Sequence, residues 1–330
     1  MNPSQVLLAH LEHHAIPAVA WAFGQVGQLE LGYTGKRWHT PDAPNISPET
    51  VFDLASLTKV LVTVPLLLKL IGAGKLDPTA PLLEVLPEIA GFPLESANLL
   101  QLVSHSAGLE ALSPLRTWKL SRDAALQKAL EMPRPQSGII YSDQGFLVLT
   151  YLLEKLYGQR LDMVANQELF APNNVNLTYQ PDPNLCAATE LDSSGNLIIG
   201  RVHDENTAAL DGISGHAGLF GNLTELCKYL QALMTGLVLP SPLLETMQRE
   251  IARDHHDARA FGWLIPHPNW LGADNAPPDT LGHTGFTGTG VWFSLETQQC
   301  NVLLSNRVCP SRATPNDIAG LRRKFNAAAW

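Results

Sequence analysis

Several kinds of feature are scarce in this chain, and each scarcity excludes something. Of 330 residues only four are cysteine, Cys186, Cys227, Cys300 and Cys309. They form no Cys-x-x-Cys pair and no Cys/His metal spacing, so a zinc ribbon or a dithiol redox centre is excluded. Free thiols in a reducing compartment are the expectation, since the nine-residue separation of Cys300 and Cys309 does not establish a disulfide. Charged residues make up 16% of the chain, the net charge is -9, and no basic cluster stands out. That balance argues against a nucleic-acid partner and against an anionic membrane surface. The longest apolar run, Val60–Leu68, stops at Lys69 and is too short to span a bilayer. The N-terminal Met1-Asn2-Pro3-Ser4-Gln5 has no basic leader region. The reading is a cytoplasmic protein, or an exported one whose leader has been removed. No glycine-rich segment has the P-loop pattern, so nucleotide binding has no support.

What is present is an apolar content of 45%, enough for a large core in one domain. Residues 4–14 read as a helix. Ile16–Phe23 and Gln28–Tyr33 read as two strands of a hairpin turning at Gly24–Gly27. The segment from Ser56 to about Gly72 is apolar on nearly every face and reads as a buried helix. Pro65 inside it should bend it or remove one hydrogen bond. Helices are also expected over residues 81–89, 99–103, 121–131, 144–158, 223–237 and 315–329. Strands are expected at Phe261–Ile265, Val291–Leu295 and Cys300–Ser305. Strands at both ends with helices between imply one antiparallel sheet built from the two termini, an α+β fold with helices on its faces.

Ser56-Leu57-Thr58-Lys59 carries the chemistry. It follows the strand-like run Val51–Leu54 and opens the buried helix. A serine and a lysine three residues apart share a helix face. The first turn of a helix offers free N–H groups and a positive dipole end to a developing anion. A nucleophilic serine needs that exposure, a nearby amine to take its proton, and donors for the oxyanion. Tyr141-Ser142-Asp143 sits before a helix, where a tyrosine could relay protons. His283-Thr284-Gly285-Phe286-Thr287-Gly288-Thr289-Gly290 precedes a strand, and its small residues let a substrate approach an edge backbone closely. His105, in Ser104-His105-Ser106-Ala107-Gly108-Leu109, reads as a structural histidine holding its loop. His203-Asp204 could order a loop near the cleft, His216 should buttress the loop before the Leu223 helix, and His255-His256-Asp257 reads as a solvated loop. Neither histidine cluster has metal-ligand spacing, so no metal is expected. Among the tryptophans, Trp292 is the best candidate for a cleft wall.

Taken in order, Ser56-x-x-Lys59, His105–Leu109, Tyr141-x-Asp143, Gly215-His216-Ala217-Gly218-Leu219-Phe220 and His283-Thr284-Gly285 resemble the serine β-lactamase-like superfamily. It includes class C β-lactamases, penicillin-binding proteins, D-aminopeptidases and esterases. Val202–Asn206 is similar to a feature of its esterase and penicillin-binding branches. The resemblance implies one catalytic domain over 1–330, with an α/β part at about 1–75 and 210–330 and a mainly helical part at about 76–209. It implies Ser56 as the acylated nucleophile and Lys59 and Tyr141 as the shared general base and acid. The backbone N–H groups of Ser56 and Phe286 would form the oxyanion hole. Asp143 would contact substrate or Lys59, and His283, Thr284 and Gly285 would line the substrate-carboxylate side. No cofactor is implied.

The chain departs from class C β-lactamases at Asp143, where they have asparagine, and at His283, where they have lysine. Both changes weaken the case for efficient β-lactam hydrolysis. The expected function is therefore serine hydrolysis of a small ester, amide or peptide, esterase- or peptidase-like. The alternatives are a penicillin-binding D,D-peptidase or weak class C-type β-lactamase, and a non-catalytic ligand-binding homologue. The sequence gives no oligomeric state.

Overall fold

A computed structural model of the chain describes residues 2–268 and 270–330. Its strands are, in chain order, β1 (Ala18–Gln25), β2 (Gln28–Gly35), β3 (Phe52–Asp53), β4 (Phe220–Gly221), β5 (Ala252–Arg253), β6 (Ala258–Arg259), β7 (Leu281–Thr284), β8 (Gly290–Ser294) and β9 (Gln299–Ser305). The α-helices are α1 (Pro3–Leu11), α2 (Val64–Gly72), α3 (Leu99–Val103), α4 (Arg122–Ala129), α5 (Asp143–Tyr157), α6 (Leu161–Ala165), α7 (Glu205–Ala208), α8 (Leu223–Met234), α9 (Ser241–Gln248) and α10 (Ile318–Ala329). Five strands form the main sheet in the order β2-β1-β9-β8-β7, each neighbour antiparallel. The sheet therefore joins the two ends of the chain, as the strand pattern implies.

The period-two alternation of each strand divides the sheet's contacts between two cores. From β1, Ala18, Ala20 and Ala22 enter the large core shared with the buried helices, while Val19 and Trp21 enter a smaller one under α1 and α10. From β8, Val291 and Phe293 face the large core and Trp292 faces the smaller one. Trp292 is fully buried there, so it is no cleft wall. The strand's own parity sends it to the opposite face. Its ring lies across Gly282 on β7, where a Cβ would come within 2.5 Å of it.

The buried segment is helical from Leu57 to Gly72, with a π-helical stretch at Lys59–Thr63 leading into α2. Val64 donates to Lys59 O, five residues back. Pro65 has no N–H for Leu61 O, as expected of a proline in this position. That carbonyl instead accepts the buried Tyr229 hydroxyl from α8 at 2.7 Å.

Phe261–Ile265 is not a strand. Gly262 turns the chain with φ +82°, and only Leu264 makes bridges, to Arg259 and Gly282. Helical structure over Leu161–Ala165, Asn166–Phe170 and Ala171–Asn173, and α9, were not anticipated. The four cysteines are free and buried. No helix among the described residues is long and apolar enough to cross a membrane.

Candidate active site

The turn that carries Ser56 is built by side chains from distant parts of the chain. Asp53, on β3, accepts the Ala55 N–H at 2.8 Å and the His203 N–H at 2.8 Å, one on each carboxylate oxygen. Burial pushes the Asp53 carboxyl up to about 6 against the pull of those two N–H groups. Ala55 adopts φ +48°, a left-handed conformation that a non-glycine residue holds only where its surroundings enforce it. The Thr58 hydroxyl donates to Ala55 O. From the glycine-rich segment, the hydroxyls of Thr287 and Thr289 donate to Asp53 O and Leu54 O at 2.8 and 3.1 Å. That segment thus fixes the backbone before the serine. Gly285 has to be glycine, because a Cβ there would meet Thr289 Oγ1 at 2.1 Å and Leu54 O at 2.7 Å.

Ser56 lies half-buried on a cavity of about 540 Å³ that Tyr141, Asp143, His283, Thr284, Gly285 and Phe286 also line. Beneath it, the fully buried Lys59 donates from Nζ to Ser56 Oγ at 3.1 Å and to His216 O at 3.2 Å, and pairs with Asp143 Oδ1 at 2.7 Å. Nζ also stands 4.8 Å from the centre of the Tyr141 ring. Burial alone would lower the lysine pKa, but Asp143 and Tyr141 outweigh it and hold the group above its ordinary value. Lys59 is therefore an ammonium at rest.

Tyr141 is held by its neighbours. His105 accepts the Ser142 N–H on Nδ1 at 3.0 Å, and its carbonyl accepts the Ile140 N–H at 3.0 Å. Its ring packs on Tyr141 with centroids 4.5 Å apart. His105 thus holds the tyrosine's loop as well as its own. Burial, then the charges of Arg259 and Lys59, keep its pKa well below the ordinary value. Asp143 opens α5 and reaches Lys59, one of the two contacts expected of it.

Ser56 and Phe286 both line the cavity, and among the described residues no hydrogen bond takes the N–H of either. The Phe286 side chain is 48% exposed, with the Arg307 guanidinium 4.4 Å above the ring centre and the His203 ring stacked at 5.6 Å. His203 and Asp204 do border the cleft. Asp204 contacts His216 Nε2 at 2.9 Å, and Ser214 Oγ lies 2.6 Å from His216 Nδ1. His216 thus buttresses Lys59 as well as the loop before α8. Asp143, Asp204 and His216 are close enough to share a cation. Here both His216 nitrogens and the near Asp143 oxygen are already engaged by protein groups.

Four arginines of the cleft escaped the sequence reading: Arg259, Arg307, Arg312 and Arg322. Arg322, on α10, donates to Gly285 O and Thr289 O at 2.7 and 2.6 Å and so braces the glycine-rich turn. Arg312 is engaged by Glu190 and Glu205. Arg259 is paired with Asp257, which takes that residue out of the solvated loop assigned to 255–257. No spacing pattern announces these arginines, which come from β6, the loop between β9 and α10, and the last helix.

A family model described as Beta-lactamase matches residues 4–322. The chain belongs to the β-lactamase family. It is 30% identical over 282 residues to the N-acetylmuramyl-L-alanine amidase of Bacillus subtilis (strain 168), covering 73% of this chain and 64% of that protein. The chain thus spans less than two-thirds of that relative. It is 30% identical over 301 residues to a putative D-alanyl-D-alanine carboxypeptidase of Escherichia coli (strain K12), covering 78% of this chain and 69% of the other. A class C β-lactamase from Rhodobacter sphaeroides has the same fold, with TM-score 0.75 and 18% identity over 98% of this chain and 97% of that one. The mixed architecture of antiparallel sheet and helices is that of this β-lactamase fold.

Proposed function

We propose that this member of the β-lactamase family is a serine hydrolase that cleaves an amide or ester through an acyl-enzyme on Ser56. The observation that carries the reading is the contact between Lys59 Nζ and Ser56 Oγ, 3.1 Å, at the edge of a cavity large enough for a small substrate. In the proposed reaction Ser56 Oγ attacks the carbonyl carbon. The serine proton passes to the Lys59–Tyr141 pair. Because Lys59 is charged at rest, the pair works in the form that has first lost one proton to solvent, and that form takes the serine proton; the work is assigned to the pair and not to either residue alone. The N–H groups of Ser56 and Phe286 stabilise the oxyanion. The pair then returns the proton to the leaving group, and water releases the acid by the same route in reverse.

The names of both relatives denote cleavage of an amide, which favours amide over ester as the natural substrate bond. The substrate class is a small peptide-like molecule, with Asp143, His283, Thr284 and Gly285 on the walls that contact it. We propose that the whole chain acts as one catalytic domain, with the cavity between the sheet edge and the helical part.

Pre-steady-state turnover of p-nitrophenyl acetate tests this reading. A burst of p-nitrophenol stoichiometric with enzyme, absent in Ser56→Ala, is the expected result. No turnover with any activated ester would make the protein a ligand-binding homologue.

A further inference from the structure

The segment Val202–Asn206 contributes no group to the proposed acyl transfer, yet its last four residues each grip a different piece of the site. The His203 N–H donates to Asp53 Oδ2 at 2.8 Å, and Asp53 Oδ1 accepts the Ala55 N–H at 2.8 Å. Asp204 Oδ1 lies 2.9 Å from His216 Nε2, and the carbonyl of His216 accepts from Lys59 Nζ. Glu205 pairs with Arg312 at 2.7 Å. Asn206 donates from Nδ2 to Ser113 O and accepts the Arg116 N–H, both at 3.0 Å, which ties the segment to residues 113–116.

Two short chains of contacts therefore run from neighbouring residues of one segment to the two sides of the Ser56–Lys59 contact. The first ends at Ala55, whose φ of +48° is held only by its surroundings. The second ends at the carbonyl that shares Lys59 Nζ with Ser56 Oγ. The two carboxylates are used differently. Asp53, a residue 2% exposed, uses both oxygens, one for each N–H. Asp204 places both of its contacts, His216 Nε2 and the Thr207 N–H at 2.7 Å, on Oδ1.

We propose that Asp53 and Asp204 are positioning residues through which this one cleft segment holds Ser56 Oγ and Lys59 Nζ in register for proton transfer. Asp53 acts through Ala55, and Asp204 acts through His216. The proposal rests on the serine-hydrolase reading above. An asparagine offers one acceptor oxygen and one NH2 donor. It can stand in for Asp204, where a single oxygen makes both contacts. It cannot stand in for Asp53, where its NH2 group would face a backbone N–H.

The test is the burst rate with p-nitrophenyl acetate. It is measured at a pH well above the value of about 6 to which burial pushes the Asp53 carboxyl, so that this group is ionised. Asp53→Asn and Asp204→Ala are each expected to slow acylation about tenfold or more while KM changes less than about twofold, because misplaced reacting atoms cost rate rather than binding. Asp204→Asn should stay within about threefold of wild type, since it keeps the acceptor oxygen. Lys59→Ala removes the group on which Asp204 acts, so adding Asp204→Ala to it should cost less than about twofold further. Urea midpoints separate a slow enzyme from an unfolded one, and where Asp53→Asn does not fold the Asp204 series decides. Asp204→Asn as slow as Asp204→Ala, or full additivity with Lys59→Ala, overturns the proposal. So do wild-type rates in Asp53→Asn and Asp204→Ala. A wild-type protein with no burst at all removes the hydrolase reading, and the proposal with it.

Discussion

Lys59 and Asp143 meet at 2.7 Å beneath the serine, an ion pair between the first turn of one buried helix and the first residue of another. The carboxylate opposes loss of the lysine proton, so in the proposed mechanism it would set the pH at which the pair can work as a base.

Asp143→Asn removes the main attraction that raises the Lys59 pKa, while burial, which lowers it, remains. The acid limb of kcat/KM for p-nitrophenyl acetate should therefore move to lower pH by about one unit, the scale on which one close charge shifts a pKa. The same pair stabilises the fold at pH values below the lysine's ordinary 10.5 and loses that contribution as pH rises through the raised value. A pH–rate profile identical to wild type would contradict the assignment.

Tyr229→Phe strips Leu61 O of the hydroxyl that replaces the missing Pro65 N–H. An unpaired buried carbonyl costs about 1–3 kcal/mol, so the loss should appear as a lower midpoint in urea denaturation. An unchanged midpoint would mean that the carbonyl finds another donor.

The sequence made the outline of the fold readable because each sheet strand carries its own alternation and each terminus contributes strands. It also showed Ser56 and Lys59 one turn apart, and their side chains do touch. What failed did so for local reasons. Trp292 follows the glycine-rich run, yet strand parity turns it away from the cleft. Phe261–Ile265 is apolar enough for a strand, but Gly262 breaks it. Leu161, Val164, Ala165 and Leu169 have helical spacing that the polar residues around them obscured. Arg259 and Arg322 reach the site from places that no short motif connects.

Lys59→Ala and Tyr141→Phe should each lower kcat by about 10²-fold or more, the usual size of a general acid–base contribution. Stopped-flow acylation with an activated ester separates this step from deacylation. Wild-type acylation rates in both variants would remove the proton relay.

Glu190 sits among Arg312 and His203 beside the cleft. Burial pushes its carboxyl up, but hydrogen bonds from Arg312 and His203 bring it down to about 2. A lowered carboxyl contributes stability above its ordinary 4.5 and loses it as pH falls from there toward 2. Glu190→Gln should flatten the fall of thermal midpoint across that acid window. A slope equal to wild type would show that Glu190 carries none of it.

The central claim is that Ser56 becomes acylated. Its most direct test is the intact mass of the protein, quenched in acid within the burst of p-nitrophenyl acetate turnover, with the modified peptide sequenced beside Ser56→Ala. The account predicts one acetyl group on wild type, located at Ser56, and none on the variant. An unmodified wild-type protein during turnover, or an adduct of equal yield on Ser56→Ala, would contradict it.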